Sequence, residues 1–147
     1  MPKVLEESDL IHRVTFRAFV ASTEEAERVR EALSLFISDE SVSSTKAEGH
    51  YGNRIEILDA TLNKNEGLAF FKKLREDLPK LEMDRLRKEL SRRVDEECQL
   101  HFRLDKQAAY KGESHLTDFG DSIHVCARIE SYPARREKAV KIAEALL

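Results

Sequence analysis

Cys98-Gln-Leu-His-Phe-Arg-Leu-Asp-Lys-Gln-Ala-Ala-Tyr-Lys-Gly112 is the stretch on which the reading of this chain turns. Its first half alternates. Leu100, Phe102 and Leu104 fall on one side, and Gln99, His101, Arg103 and Asp105 on the other. Successive side chains of a strand point to opposite faces, so this pattern predicts a strand with one buried and one wet face. From Asp105 onward the alternation stops. A polar, glycine-ended turn carrying Lys106, Gln107, Tyr110 and Lys111 is predicted there.

The same period recurs on both sides of this strand. Val14, Phe16, Ala18 and Val20 alternate with Arg13, Thr15 and Arg17 in a first strand over Leu10–Ala21, behind a polar, loose end at Met1–Asp9. Ser22-Thr-Glu-Glu25 has the form of a capping box, and a helix with Ala26, Val29, Leu33 and Phe36 inward should follow. A second strand lies within Ser38–Ala47 and a third at Arg54–Leu62, forming a hairpin across the loop Glu48-Gly-His-Tyr-Gly-Asn53. Asn63 and Glu66 cap a helix with Leu68, Phe71, Leu74 and Leu78 inward, ended by Pro79. Another helix over Leu81–Asp95 turns Met83, Leu86, Leu90 and Val94 inward and Arg87, Lys88 and Arg92 outward. A loop at Ser114–Asp121 leads to a last strand over Ser122–Glu130, with Ile123, Val125, Ala127 and Ile129 inward and His124, Cys126 and Arg128 outward. Ser131–Glu137 opens a C-terminal helix with Pro133 at its first position and Val140, Ile142, Ala143 and Leu146 buried.

Strands with one polar face, joined by a hairpin and interleaved with helices, imply a two-layer α+β domain. Its sheet is mostly antiparallel, helices cover one face, and the other face is open. A length of 147 residues fits a single domain over 1–147. The hydrophobic share of 41% suffices for a core. Two cysteines, Cys98 and Cys126, make neither a disulfide framework nor a zinc site. No apolar run reaches membrane-span length and no signal-peptide pattern opens the chain, so a cytoplasmic protein with no membrane partner is expected.

The net charge is −3, but it is unevenly spread. Residues 1–62 hold 7 Lys/Arg against 12 Asp/Glu, and residues 63–147 hold 18 against 16. A globally acidic chain can hold RNA if its cations share one face. Arg13, Arg17, Arg103 and Arg128 would project from the open sheet face, with Lys106, Gln107 and Lys111 at the exit of the central strand. Arg135 and Arg136 stand where the dipole of the last helix prefers acids, which suits a phosphate site. Each group also has a plain reading, as a solvated charge or as a polar turn satisfying itself. Gly49-His-Tyr-Gly52 matches the GXXG string of KH domains, but lies between strands rather than helices. His101 and His124 on neighbouring strands offer an acid–base pair for RNA cleavage. No nucleophile elbow, P-loop, dinucleotide fingerprint or metal-ligand spacing appears, so neither catalysis nor a metal or other cofactor is expected.

Three stretches, Glu48–Asn53, Phe102–Tyr110 and Ile129–Glu137, resemble a family of small archaeal RNA-binding proteins. The family is described as predicted to associate with the exosome. Its fold is likened to a double-stranded-RNA-binding domain and to the ribosomal protein that binds five-S RNA. The resemblance runs from about Ile11 to the C-terminus. It implies a ribosomal-protein-like fold, structured or double-stranded RNA as partner, and exosome or ribosome components as further partners. The expectation is therefore a non-catalytic RNA-binding protein that contacts phosphates through Arg13, Arg17, Arg103, Lys106, Gln107, Lys111, Arg128, Arg135 and Arg136. A protein–protein adaptor or homodimer without RNA contact is the alternative, and a His-dependent ribonuclease a third.

Overall fold

The computed structural model describes residues 10–21, 25–38, 41–48, 52 and 54–147. The terminus at Met1–Asp9, most of the expected capping box at Ser22–Glu25, and most of the Gly49–Gly52 loop lie outside the described residues. In chain order the elements are β1 (Ile11–Val20), α1 (Ala26–Ser34), β2 (Val42–Glu48), β3 (Arg54–Leu62), α2 (Lys64–Asp77), α3 (Lys80–Lys88), α4 (Leu90–Arg93), β4 (Gln99–Asp105), α5 (Lys106–Tyr110), β5 (Leu116–Thr117), β6 (Ser122–Ile129) and α6 (Arg136–Leu146). The strands form a six-stranded antiparallel sheet in the order β2-β3-β1-β6-β4-β5, and the fold is α+β. Among the described residues, no helix is long and apolar enough to cross a membrane.

The chain packs as two compact units, to which β1, β4 and β6 each contribute residues. The first comprises the start of β1 through Val14, Leu62–His101 and Cys126–Leu147. In it α2 lies against β1 at Gly67, where a Cβ would come within 2.7 Å of Ile11 Cδ1 and 2.9 Å of Val14 Cγ2. A larger residue there would force the Ile11 and Val14 side chains to shift. Asn63 and Glu66 cap α2 reciprocally as predicted, with N–H to oxygen distances of 2.9 and 3.1 Å. Met83, Leu86, Leu90 and Val94 are all buried as expected. However, the single helix expected over Leu81–Asp95 is two, α3 and α4, divided at Glu89 with φ −94° and ψ 3°. Asp95 then turns the chain: its Oδ1 accepts from the N–H of Glu97 and of Gln99, and Cys98 takes φ +61° before β4 begins. The last helix also starts later than predicted. The Tyr132–Pro133 peptide is cis, Arg135 is the N-cap, and α6 begins at Arg136.

The second unit comprises Thr15–Thr61 and Phe102–Val125. Phe16, Ala18 and Val20 of β1, Leu58 and Ala60 of β3, Phe102 and Leu104 of β4, and Ile123 and Val125 of β6 are buried. Full burial of each large apolar side chain contributes about 1.5–3 kcal/mol. Their alternates, such as Arg17 and Arg103, are exposed. β2 and β3 pair antiparallel from Val42↔Ala60 to Glu48↔Arg54, confirming the hairpin.

The segment after β4 is not a turn but the helix α5. The Asp105 carboxylate accepts from Ala108 N–H at 2.9 Å and caps it. Gly112, at φ +77°, ends it. Gly112 N–H bonds to Ala109 O and Glu113 N–H to Ala108 O, the paired bonds of a Schellman motif. α5 packs against α1, where the Arg28 guanidinium sits 5.5 Å from the centre of the Tyr110 ring.

Candidate nucleic-acid interface

The nine polar residues singled out from the sequence divide between the two units. In the first, Arg13 of β1 and Arg128 of β6 are exposed on strands that neighbour each other in the sheet. Neither has an ion pair among the described residues. Beside them, His12 Nδ1 lies 3.3 Å from a Glu130 carboxylate oxygen. Arg135 is exposed and makes no capping bond. Arg136 is half-buried instead of splayed outward, and its Nε donates to Val94 O at 2.8 Å. That bond holds the start of α6 against the end of α4. Tyr132, three residues before the N-cap, is 90% exposed.

In the second unit the sites are more strongly tied to protein partners. Arg17 Nε donates to Asp59 Oδ1 at 2.7 Å, an ion pair between β1 and β3. Arg103 Nη1 reaches Ser122 Oγ at 3.4 Å, and Gln107 Nε2 donates to Asp121 Oδ2 at 3.2 Å. Lys111 is exposed with no ion pair among the described residues. Lys106 corrects the sequence expectation. It is fully buried, and its Nζ donates to Phe19 O at 2.9 Å and to Asp121 Oδ1 at 2.5 Å. An ammonium enclosed in this way is not presented to a polyanion. The most distinctive residues of the central motif, Asp105 and Lys106, thus build the fold: one caps α5 and the other anchors the end of β1.

His101, the candidate general base, has a carboxylate partner of its own, with Nε2 2.7 Å from Asp95 Oδ2. Partial burial by itself would raise the Asp95 pKa. The bonds from His101 and from the N–H groups of Gln99 and Glu97 outweigh it and hold the carboxyl below its ordinary value. Asp95 thereby fixes both the turn and the imidazole.

The sequence reading passed over one cluster. On α3 and α4, Glu89 accepts from Arg85 Nε at 3.3 Å and from Arg93 Nε at 2.9 Å, and it forms ion pairs with Arg93 Nη2 at 2.7 Å and Arg92 Nη2 at 2.9 Å. Burial alone would raise the Glu89 pKa, but bonds and charge from Arg93 and Arg85 lower it overall. Lys88 is exposed one residue before the hub, without an ion pair among the described residues. The signal was present in the sequence as cations at helical spacing on the outer face, but the sharing of one carboxylate depends on side-chain geometry.

Comparison with known proteins agrees with a nucleic-acid role. A family model described as RNA binding matches residues 13–129. RNA-binding protein PAB1135 of Pyrococcus abyssi is 31% identical over 137 residues, covering 88% of this chain and 89% of that one. The crystal structure of protein AF2318 from Archaeglobus fulgidus superposes with a TM-score of 0.83 at 41% identity, covering 93% of this chain and 99% of that one. Mth689 of Methanothermobacter thermautotrophicus superposes with a TM-score of 0.81 at 34% identity, over 94% of this chain and 98% of that one. With a family match over most of its length and a relative of this similarity, the chain belongs to the RNA-binding family.

Proposed function

We propose that this protein is a non-catalytic RNA-binding protein that holds the phosphate backbone of structured or double-stranded RNA, as an accessory of RNA processing or of the archaeal exosome. The observation that carries the reading is the pair Arg13 and Arg128, exposed on adjacent strands without a carboxylate partner among the described residues, in a member of this family. Guanidinium groups on an open surface suit phosphate oxygens, and such contacts position RNA without reading its sequence. Lys111 and Arg103 in the second unit and Arg135 in the first are further contacts. The family description and the name of the Pyrococcus relative support the RNA partner. The exosome and ribosome components rest on the motif resemblance.

A salt titration of labelled RNA hairpin binding tests this. Removing two phosphate contacts with Arg13→Ala/Arg128→Ala should flatten the plot of log affinity against log salt by roughly 1.4–1.8. No RNA retention by the wild-type protein at low salt sinks the reading. The exosome role has a separate test, degradation of the same hairpin by an archaeal exosome core with and without the protein. An unchanged rate and no co-elution remove that role alone.

The adaptor reading keeps one observation in its favour. β2 is an edge strand, and Ser43–Glu48 are exposed along its length. Such an edge can pair with another strand. A dimer in solution scattering, together with absent RNA retention, would establish it instead.

A further inference from the structure

The helix dipole explains cations at the C-terminal ends of α3 and α4, where Arg85, Lys88, Arg92 and Arg93 lie. It does not explain cations at the N-terminal end of α6. Yet the Arg136–Val94 bond brings that end, with Arg135 and Arg136, against the end of α4. Arg135 and Arg136, followed by Glu137, thus meet the cationic end of α4 within the first unit. Lys88 and Arg135, both exposed, have no ion pair among the described residues, and Arg92 meets Glu89 through one nitrogen. Glu89 offers about four acceptor sites against about fifteen N–H donors on its three arginines. Glu82 and Asp84 of α3 are half-buried and Glu137 is exposed in the first turn of α6, yet Lys88 and Arg135 pair with none of them.

We infer that the α3–α4 outer face, continued by the start of α6, is a second phosphate-binding surface for RNA, additional to the sheet arginines. Glu89 is its organiser. It draws three guanidinium groups to one point and orders them before the ligand arrives, which lowers the entropy lost on binding. Lys88 and Arg92 are the contacting groups. Arg92 is 70% exposed and meets Glu89 through Nη2, while Lys88 carries no ion pair among the described residues. Arg93, only 12% exposed, instead supports the hub. Exposed Tyr132, on the approach to α6, provides an aromatic face for an unpaired base beside this surface.

The inference rests on the RNA-binding reading, and the test separates the two. Full-length wild type, Lys88→Ala/Arg92→Ala and Arg13→Ala/Arg128→Ala are titrated with fluorescein-labelled double-stranded RNA across a salt series. Thermal unfolding checks each fold. The Lys88/Arg92 variant should lose roughly 1.4–1.8 from the magnitude of the salt slope, and Lys88→Arg/Arg92→Lys should restore it. A Lys88/Arg92 slope equal to wild type, with the sheet variant weakened, overturns the second surface and leaves RNA binding intact. A wild type that retains no RNA overturns both.

Discussion

Replacing Lys106 by Met asks whether the central motif serves the fold or the ligand. The lysine is wholly enclosed, and its ammonium bonds to Phe19 O at 2.9 Å and to Asp121 Oδ1 at 2.5 Å. Methionine keeps most of the aliphatic volume, so little cavity is created. What is lost is one charge-assisted bond to a strand-end carbonyl and one to a carboxylate. Asp121 is 47% exposed and recovers water, so its share of the loss is small. The Phe19 carbonyl loses a charge-assisted donor, and a hydrogen bond to a charged group contributes about 1.5–3 kcal/mol. A loss of about 1.5–3 kcal/mol follows, read as a lower urea midpoint at unchanged m-value. Measured where both proteins are folded, RNA affinity and its salt slope should match wild type. A stability change below about 0.5 kcal/mol together with a slope reduced by about one contact would refute this reasoning and return Lys106 to the RNA-contact set.

Gly67→Ala should destabilise by about 1 kcal/mol in urea titration, although alanine favours helix, because overpacking against Ile11 and Val14 outweighs the propensity gain. Ile11→Val in the same chain should relieve part of it, with a coupling of at least about 0.5 kcal/mol in a double-mutant cycle. The pKa values of Asp95 and Glu89 are held below the reference values of 3.8 and 4.5. Both therefore stabilise the fold above those values, and the stabilisation is lost as pH falls through their lowered pKa values. Asp95→Asn and Glu89→Gln should each flatten the acid side of a stability-versus-pH curve, and an acid limb as steep as wild type in both would contradict the assigned bonds.

Much of the fold was legible because strand alternation is a local property. Phe16–Val20, Leu100–Leu104 and Ile123–Ile129 announce their buried faces within a few residues, and the Asn63–Glu66 capping box is equally local. α5 reads as a turn in the sequence because five residues are too few to show a helical period, even though Asp105 and Gly112 are a cap and a stop. The break at Glu89 was missed because the apolar spacing of Leu86, Leu90 and Val94 runs through it unaltered.

For the proposed binding surface, the sequence by itself determined which residues lie on polar strand and helix faces, and hence that Arg13, Arg103 and Arg128 face solvent. Only the tertiary structure decided which charges stay available. Arg17 and Asp59 pair across 42 positions, Lys106 reaches a carbonyl 87 positions away, and Arg136 reaches one 42 away. Whether a cation meets a carboxylate, a carbonyl or water depends on which distant segment packs beside it, and charge interactions act through space without regard to chain order.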